Sequence, residues 1–236
     1  MKKILLSASA LFSALALSTP AFAQDEPAPP VTISGGLTLV SDYRFRGVSY
    51  SNEDPAVQAT INANFEGGFY VGTWASSLDE AAGYGATEFD LYAGYRKEVA
   101  PGTTIDAGLL YYAYPSTDGL NYFEPYASIT TTLGPATGKL GVAYAWDQDN
   151  IGGEDNVYVY GDVLGALPET PVTLRAHLGY TDGIFAYGQG NYLDWNIGAD
   201  IVAGPLTFGV SYVDTDLPDG INGSDAAVIF SVGAAF

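Results

Sequence analysis

The sequence contains no cysteine, a single histidine and no methionine after the first residue, and its eight lysines and arginines are outnumbered by 27 aspartates and glutamates. Without cysteine, disulfides, thiol nucleophiles and metal-thiolate centres are excluded, and stability must come from architecture alone. With one imidazole, any histidine-dependent mechanism rests on His177. Strand alternation turns His177 inward with Gly179 two residues on, so the lipid-facing serine and histidine of an outer-membrane lipid hydrolase are not found. The scarcity of basic residues argues against nucleic acid as a partner, because phosphate backbones are bound by clustered Lys and Arg. Beyond the N-terminus no apolar run reaches the ~18 residues of a spanning helix, so a membrane can be crossed only by strands.

What is abundant fits that last point. The 29 glycines and 18 tyrosines favour strands and tight turns. Residues 1–23, MKKILLSASALFSALALSTPAFA, have the basic start, apolar run and small terminal residues of a secretory signal peptide, with cleavage expected after Ala23. Residues 24–32 read as a periplasmic tether, and 33–236 as a single barrel.

Over 33–236 the chain falls into segments of alternating polarity separated by turn residues. In 56–65, Val57, Ala59, Ile61, Ala63 and Phe65 share one face and Gln58, Thr60, Asn62 and Asn64 the other. Twelve strands are expected: 33–47, 56–65, 69–78, 87–96, 104–114, 122–133, 138–146, 156–163, 172–180, 192–202, 206–213 and 226–236. This is an all-β fold, a transmembrane antiparallel up-and-down β-barrel. Short connections alternate with longer ones, which puts the short turns and both termini in the periplasm and the long loops outside. The long loops are rich in Asp and Glu and contain no Lys or Arg, while Lys97 and Lys139 are placed at the periplasmic rim. The loop DQDNIGGED at 147–155 has oxygen ligands but not the regular spacing of a calcium loop, and nothing in the chain calls for a cofactor.

The polar face of each strand should line the lumen, and Tyr43 and Phe45 on the first strand should face lipid. Asp42, Arg44, Arg46, Glu88, Asp90, Glu124 and Asp194 form an eyelet in this reading, the two arginines facing the carboxylates across the outer lumen. Arg96 with Asp106, and Asp162 with Arg175, are placed symmetrically about turns and are expected to pair. The last strand ends on Phe236, with Phe230 and Val232 on the same outward face, a signal for the barrel-assembly machinery.

The run SDYRFRGVS at 41–49, followed by DPAVQ at 54–58, GFYVGTWASSLD at 68–79, EFDLYAGYRKEV at 88–99 and YYAYP at 111–115, resembles the TorF-type porins of proteobacteria. The likeness lies mainly in the N-terminal half and implies an outer-membrane barrel of undefined substrate. The expected function is a narrow channel in the Gram-negative outer membrane for passive diffusion of small hydrophilic solutes, cation-preferring because loops and lumen are acidic. Its partners would be outer-membrane lipids, the assembly machinery and the solutes, with no enzyme activity. The alternatives are a non-conducting structural or surface-interaction barrel and, behind it, a lipid hydrolase.

Overall fold

The computed structural model describes residues 30–236; the expected signal peptide and most of the expected tether lie outside the described residues. Fourteen strands follow in order: β1 (Val31–Val40), β2 (Arg44–Phe45), β3 (Val48–Ser49), β4 (Ala56–Phe65), β5 (Phe69–Ser77), β6 (Thr87–Ala100), β7 (Thr103–Ala113), β8 (Tyr122–Leu133), β9 (Ala136–Ala145), β10 (Asn156–Ala166), β11 (Val172–Gly183), β12 (Asn191–Ala203), β13 (Leu206–Thr215) and β14 (Ala227–Ala235). Twelve of them close into an antiparallel barrel, each paired with its chain neighbour, and β1 against β14 from Gly36↔Ala235 to Val40↔Ser231. Closure leaves no edge strand. Short turns gather at the end holding both β1's start and β14's finish, and the long connections at the other; these are the turn end and the loop end below.

The alternation sorts side chains as a membrane barrel requires. Leu37, Val57, Ile61, Leu140, Ile197 and Phe230 point outward and are at least half exposed, while Gln58, Glu88, Tyr112, Glu124, Tyr158 and Asp194 point inward and are buried. Trp74 is buried inside as well.

Glycine and tyrosine are abundant for a shared reason. Gly72, Gly94, Gly108 and Gly141 stand directly across the ladder from Tyr92, Tyr70, Tyr126 and Tyr160. In each pair the tyrosine lies over its glycine, so that a Cβ there would overlap the ring or its hydroxyl. The missing side chain makes room for a ring laid flat along the inner wall, and the ring covers backbone that glycine leaves bare.

The first strand departs from expectation. Instead of running through 33–47 it ends at Val40, and 41–55 folds into the barrel at the loop end. Within this plug β2 and β3 form a small hairpin, Arg44↔Ser49 and Phe45↔Val48, around a two-residue turn. Arg46 (φ 48°) and Gly47 (φ 85°) both take positive φ there, as a tight right-twisting hairpin turn demands. Any larger residue at 47 would meet Thr215 and Asp194. Tyr43 and Phe45 consequently do not face lipid: they are 1% and 3% exposed, packed against Trp74, Tyr50 and Tyr112.

Candidate functional site in the barrel lumen

The plug carries Asp42, Arg44 and Arg46, so these residues reach the lumen from a folded-in segment and not from a strand wall. Asp42 is its internal anchor, accepting from Arg44 Nε and from the Ser49 and Ser51 hydroxyls at 2.6 and 3.1 Å. Arg44 also donates to the carbonyls of Gly47, Gly223 and Asp225, tying the plug to the loop before β14. Arg44 is therefore fixed where the plug meets the loop before β14, and its partners do not include Glu88, Asp90 or Asp194.

Arg46 crosses to the far wall. Its Nη2 donates to both Glu124 oxygens at 2.7 and 2.8 Å, Glu124 also accepts from the Tyr112 hydroxyl at 3.0 Å, and the guanidinium stands 4.2 Å from the Tyr158 ring centre. The Tyr192 hydroxyl donates to the Arg46 carbonyl at 2.9 Å. Tyr43 donates to Glu88, with both carboxylate oxygens at 3.2 Å. Of the expected eyelet acids, then, Glu124 holds the plug by charge and Glu88 by a neutral hydroxyl. Asp90 is 1% exposed, and neither of its oxygens has a hydrogen-bond partner among the described residues.

Below the plug lies a polar network. His177 bridges two carboxylates, Nδ1 to Asp162 at 2.6 Å and Nε2 to Asp194 at 3.1 Å, with the Tyr158 hydroxyl 2.8 Å from Nε2. Asp194 is thus taken by His177 and Tyr158 rather than by an arginine. The expected pair of Asp162 with Arg175 is not formed: the ladder sets Asp162 opposite His177 and Leu164 opposite Arg175, two residues out of the assumed register. Arg175 instead bridges to Asp200 on β12 at 3.1 Å. Arg96 and Asp106 are directly opposed and bridge at 3.0 Å, with the Tyr70 hydroxyl donating to Asp106 at 2.6 Å. Lys139 is not at the rim; it is buried inside, its ammonium 5.2 Å from the Tyr160 ring centre.

The two halves of the lumen differ in access. Arg46 and Glu124 side chains are 5% and 3% exposed, whereas Arg96, Arg175, His177 and Asp162 retain 18–27%. The turn-end half is a polar interior in which several charged side chains stay partly accessible; the loop-end half is filled by the plug. At the outer loops, Asp149–Ile151 forms a single turn of 3₁₀ helix, and among the described residues no group of three or more His, Asp or Glu side chains could hold a metal ion. At the closing seam the Phe236 amide donates to the Gly35 carbonyl at 2.9 Å and the Phe236 carbonyl oxygen accepts from the Gly35 amide at 3.0 Å, and the ring lies over Gly35; Phe230 and Val232 lie on β14, which Phe236 follows.

A closed twelve-stranded barrel with a polar, charged interior is the fold of the outer-membrane porins. It is similar to the NanC porin (10% identity, 87% of this chain and 99% of that one, TM-score 0.60) and to the KdgM porin in complex with disordered oligogalacturonate (10%, 86% and 97%, 0.58). It is also similar to an outer-membrane channel from Pseudomonas putida F1 (11%, 91% and 98%, 0.50). The chain belongs to the family described as bacterial protein of unknown function (Gcw_chp), which matches residues 24–236. No curated protein matches it in sequence.

Proposed function

We propose that this chain is a porin-type channel of a Gram-negative outer membrane, passing small hydrophilic solutes with a preference for cations, and that the 41–55 plug is its closed gate. The difference in access between the two halves of the lumen carries this reading: one short segment, held by a handful of named contacts, separates the partly accessible polar half from the loop end. The short turns would be periplasmic and the long loops external. Twelve strands enclose less space than the sixteen to eighteen of large porins, and the inward tyrosines narrow it further. Cation preference follows from the acidic lumen wall and from outer loops in which Asp and Glu recur without Lys or Arg. The run SDYRFRG, which carries the resemblance to TorF-type porins, builds the plug, so that kinship would be a kinship of gates. Planar-bilayer reversal potentials in a salt gradient test the proposal; anion selectivity would refute it.

A non-conducting barrel is the second reading, favoured by one observation: Glu88, Asp90 and Tyr112 are at most 1% exposed across the loop-end half. Liposome swelling separates the two. A barrel that stays silent both intact and with residues 42–54 replaced by a short Gly/Ser linker is structural.

A further inference from the structure

Above the plug, at the loop end, is a cavity of about 310 Å³ in which eight of the twelve lining residues are aromatic. Phe45 and Tyr50 rise into it from the plug, Tyr84 and Phe185 enter from different loops, and Tyr122 comes from the start of β8. Tyr50 and Tyr84 stack at 3.9 Å, and Tyr122 packs on Phe185 at 5.1 Å, so the rings form a connected wall. The remaining lining is Leu120, Ile151, Ile184 and the amide of Asn150, with no charged side chain.

We infer that this cavity is a recognition site for small organic cations of the quaternary ammonium type. Small-molecule sites occupy ~300–1,000 Å³, so the cavity takes a small ligand. Its chemistry selects the charge. The negative faces of aromatic rings attract a cation, and a weakly hydrated, methylated ammonium loses least water on entering. A sugar or an anion would need donors and acceptors that one amide and a few hydroxyls do not supply. The protein already uses these rings in this way: the Arg46 guanidinium sits 4.7 Å from the Phe45 ring centre and 5.8 Å from that of Phe185, beneath the cavity. Because that guanidinium is paired with Glu124, it does not oppose a second cation. The loops around it that carry Asp79, Asp118, Asp149 and Asp216 contain no Lys or Arg, and raise the local concentration of cations at the entrance. The inference deepens the reading of a cation-preferring barrel and rests on it for the direction of entry, but binding requires no conduction.

Calorimetry on the full barrel in detergent, with choline as probe, tests it. Choline should bind, and its neutral analogue with a quaternary carbon in place of the nitrogen should bind about tenfold more weakly, the order expected for a desolvated ring cage. Tyr84→Phe should bind choline as the native protein does, while Tyr84→Leu weakens it severalfold with the barrel still folded by circular dichroism. Equal affinity for the neutral analogue, no binding of choline to the native barrel, or equal loss in Tyr84→Phe and Tyr84→Leu would each overturn the inference. A barrel that binds choline yet conducts anions would leave this site standing and remove the channel's cation preference.

Discussion

Replacing Arg46 with alanine should unseat the plug. Its guanidinium is the only charged group of the hairpin that reaches the opposite wall, with both Glu124 oxygens within 2.8 Å and the Tyr158 ring beneath it. Removing one partner of a buried pair costs about 3–5 kcal/mol, because the other is left charged and unmatched. At about 1.4 kcal/mol per factor of ten, the ratio of unseated to seated plug should rise on the order of 10²–10⁴-fold. Adding Glu124→Gln removes the stranded charge, so the double variant should recover part of the loss despite having fewer contacts. Two readouts follow the same equilibrium. Hydrogen exchange monitors the Ser49 and Tyr50 amides, which donate to the carbonyls of Gly223 and Tyr43 at 2.9 and 2.8 Å in the seated plug. Single-channel recording monitors the pathway. Arg46→Ala should expose both amides and raise the open fraction, and the double variant should lie between it and the native protein. Unchanged exchange at Ser49 and Tyr50, with unchanged current, would refute the argument that this ion pair holds the gate.

Three further outcomes are expected. Deleting Phe236 removes the two hydrogen bonds that extend the β1–β14 seam and the ring over Gly35, so assembled barrel in the membrane fraction should fall sharply; normal heat-modifiable levels would contradict this. Gly94→Val drives a side chain into the Tyr70 hydroxyl and the Ala107 carbonyl and should cost about 1–3 kcal/mol in urea refolding, the range for overpacking; a neutral result would mean that the tyrosine has room to swing away. Asp106→Asn weakens the acceptor shared by Arg96 and Tyr70 and should cost about 2 kcal/mol in the same assay, as for hydrogen bonds to charged groups, with the seated plug unaffected.

The barrel itself was legible because a period of two is a direct imprint of a wall with two different solvents. Val57 through Phe65 could be sorted into faces by counting, and the number of strands and their connections followed. The plug was not legible by that rule, because Asp42, Arg44 and Arg46 alternate with Tyr43 and Phe45 whether the segment stands in the wall or folds into the lumen. A signal was nevertheless present. A strand over 33–47 is longer than the ~9–11 residues that cross a bilayer, and the surplus is nearly the stretch from 41 that turns inward. Asp162 and Arg175 illustrate a different limit. Symmetry about a turn fixes a register only when the turn's own length is known, and an error of two residues preserves every facing while exchanging every partner. That is why the lumen residues could be named while their pairing, His177 with Asp162 and Arg175 with Asp200, could not.

Because the plug begins one residue after β1 ends, its contacts are local in space and remote along the chain. Arg44 donates to Asp225, 181 residues away, and Tyr192 to Arg46 across 146. Neither contact can form until β12 and the loop before β14 have taken their places, and contacts of such separation are late to form. Most of the wall must therefore be in place before its contents are secured. Were the barrel the channel proposed above, the interval between the two events would set how much a newly made copy leaks.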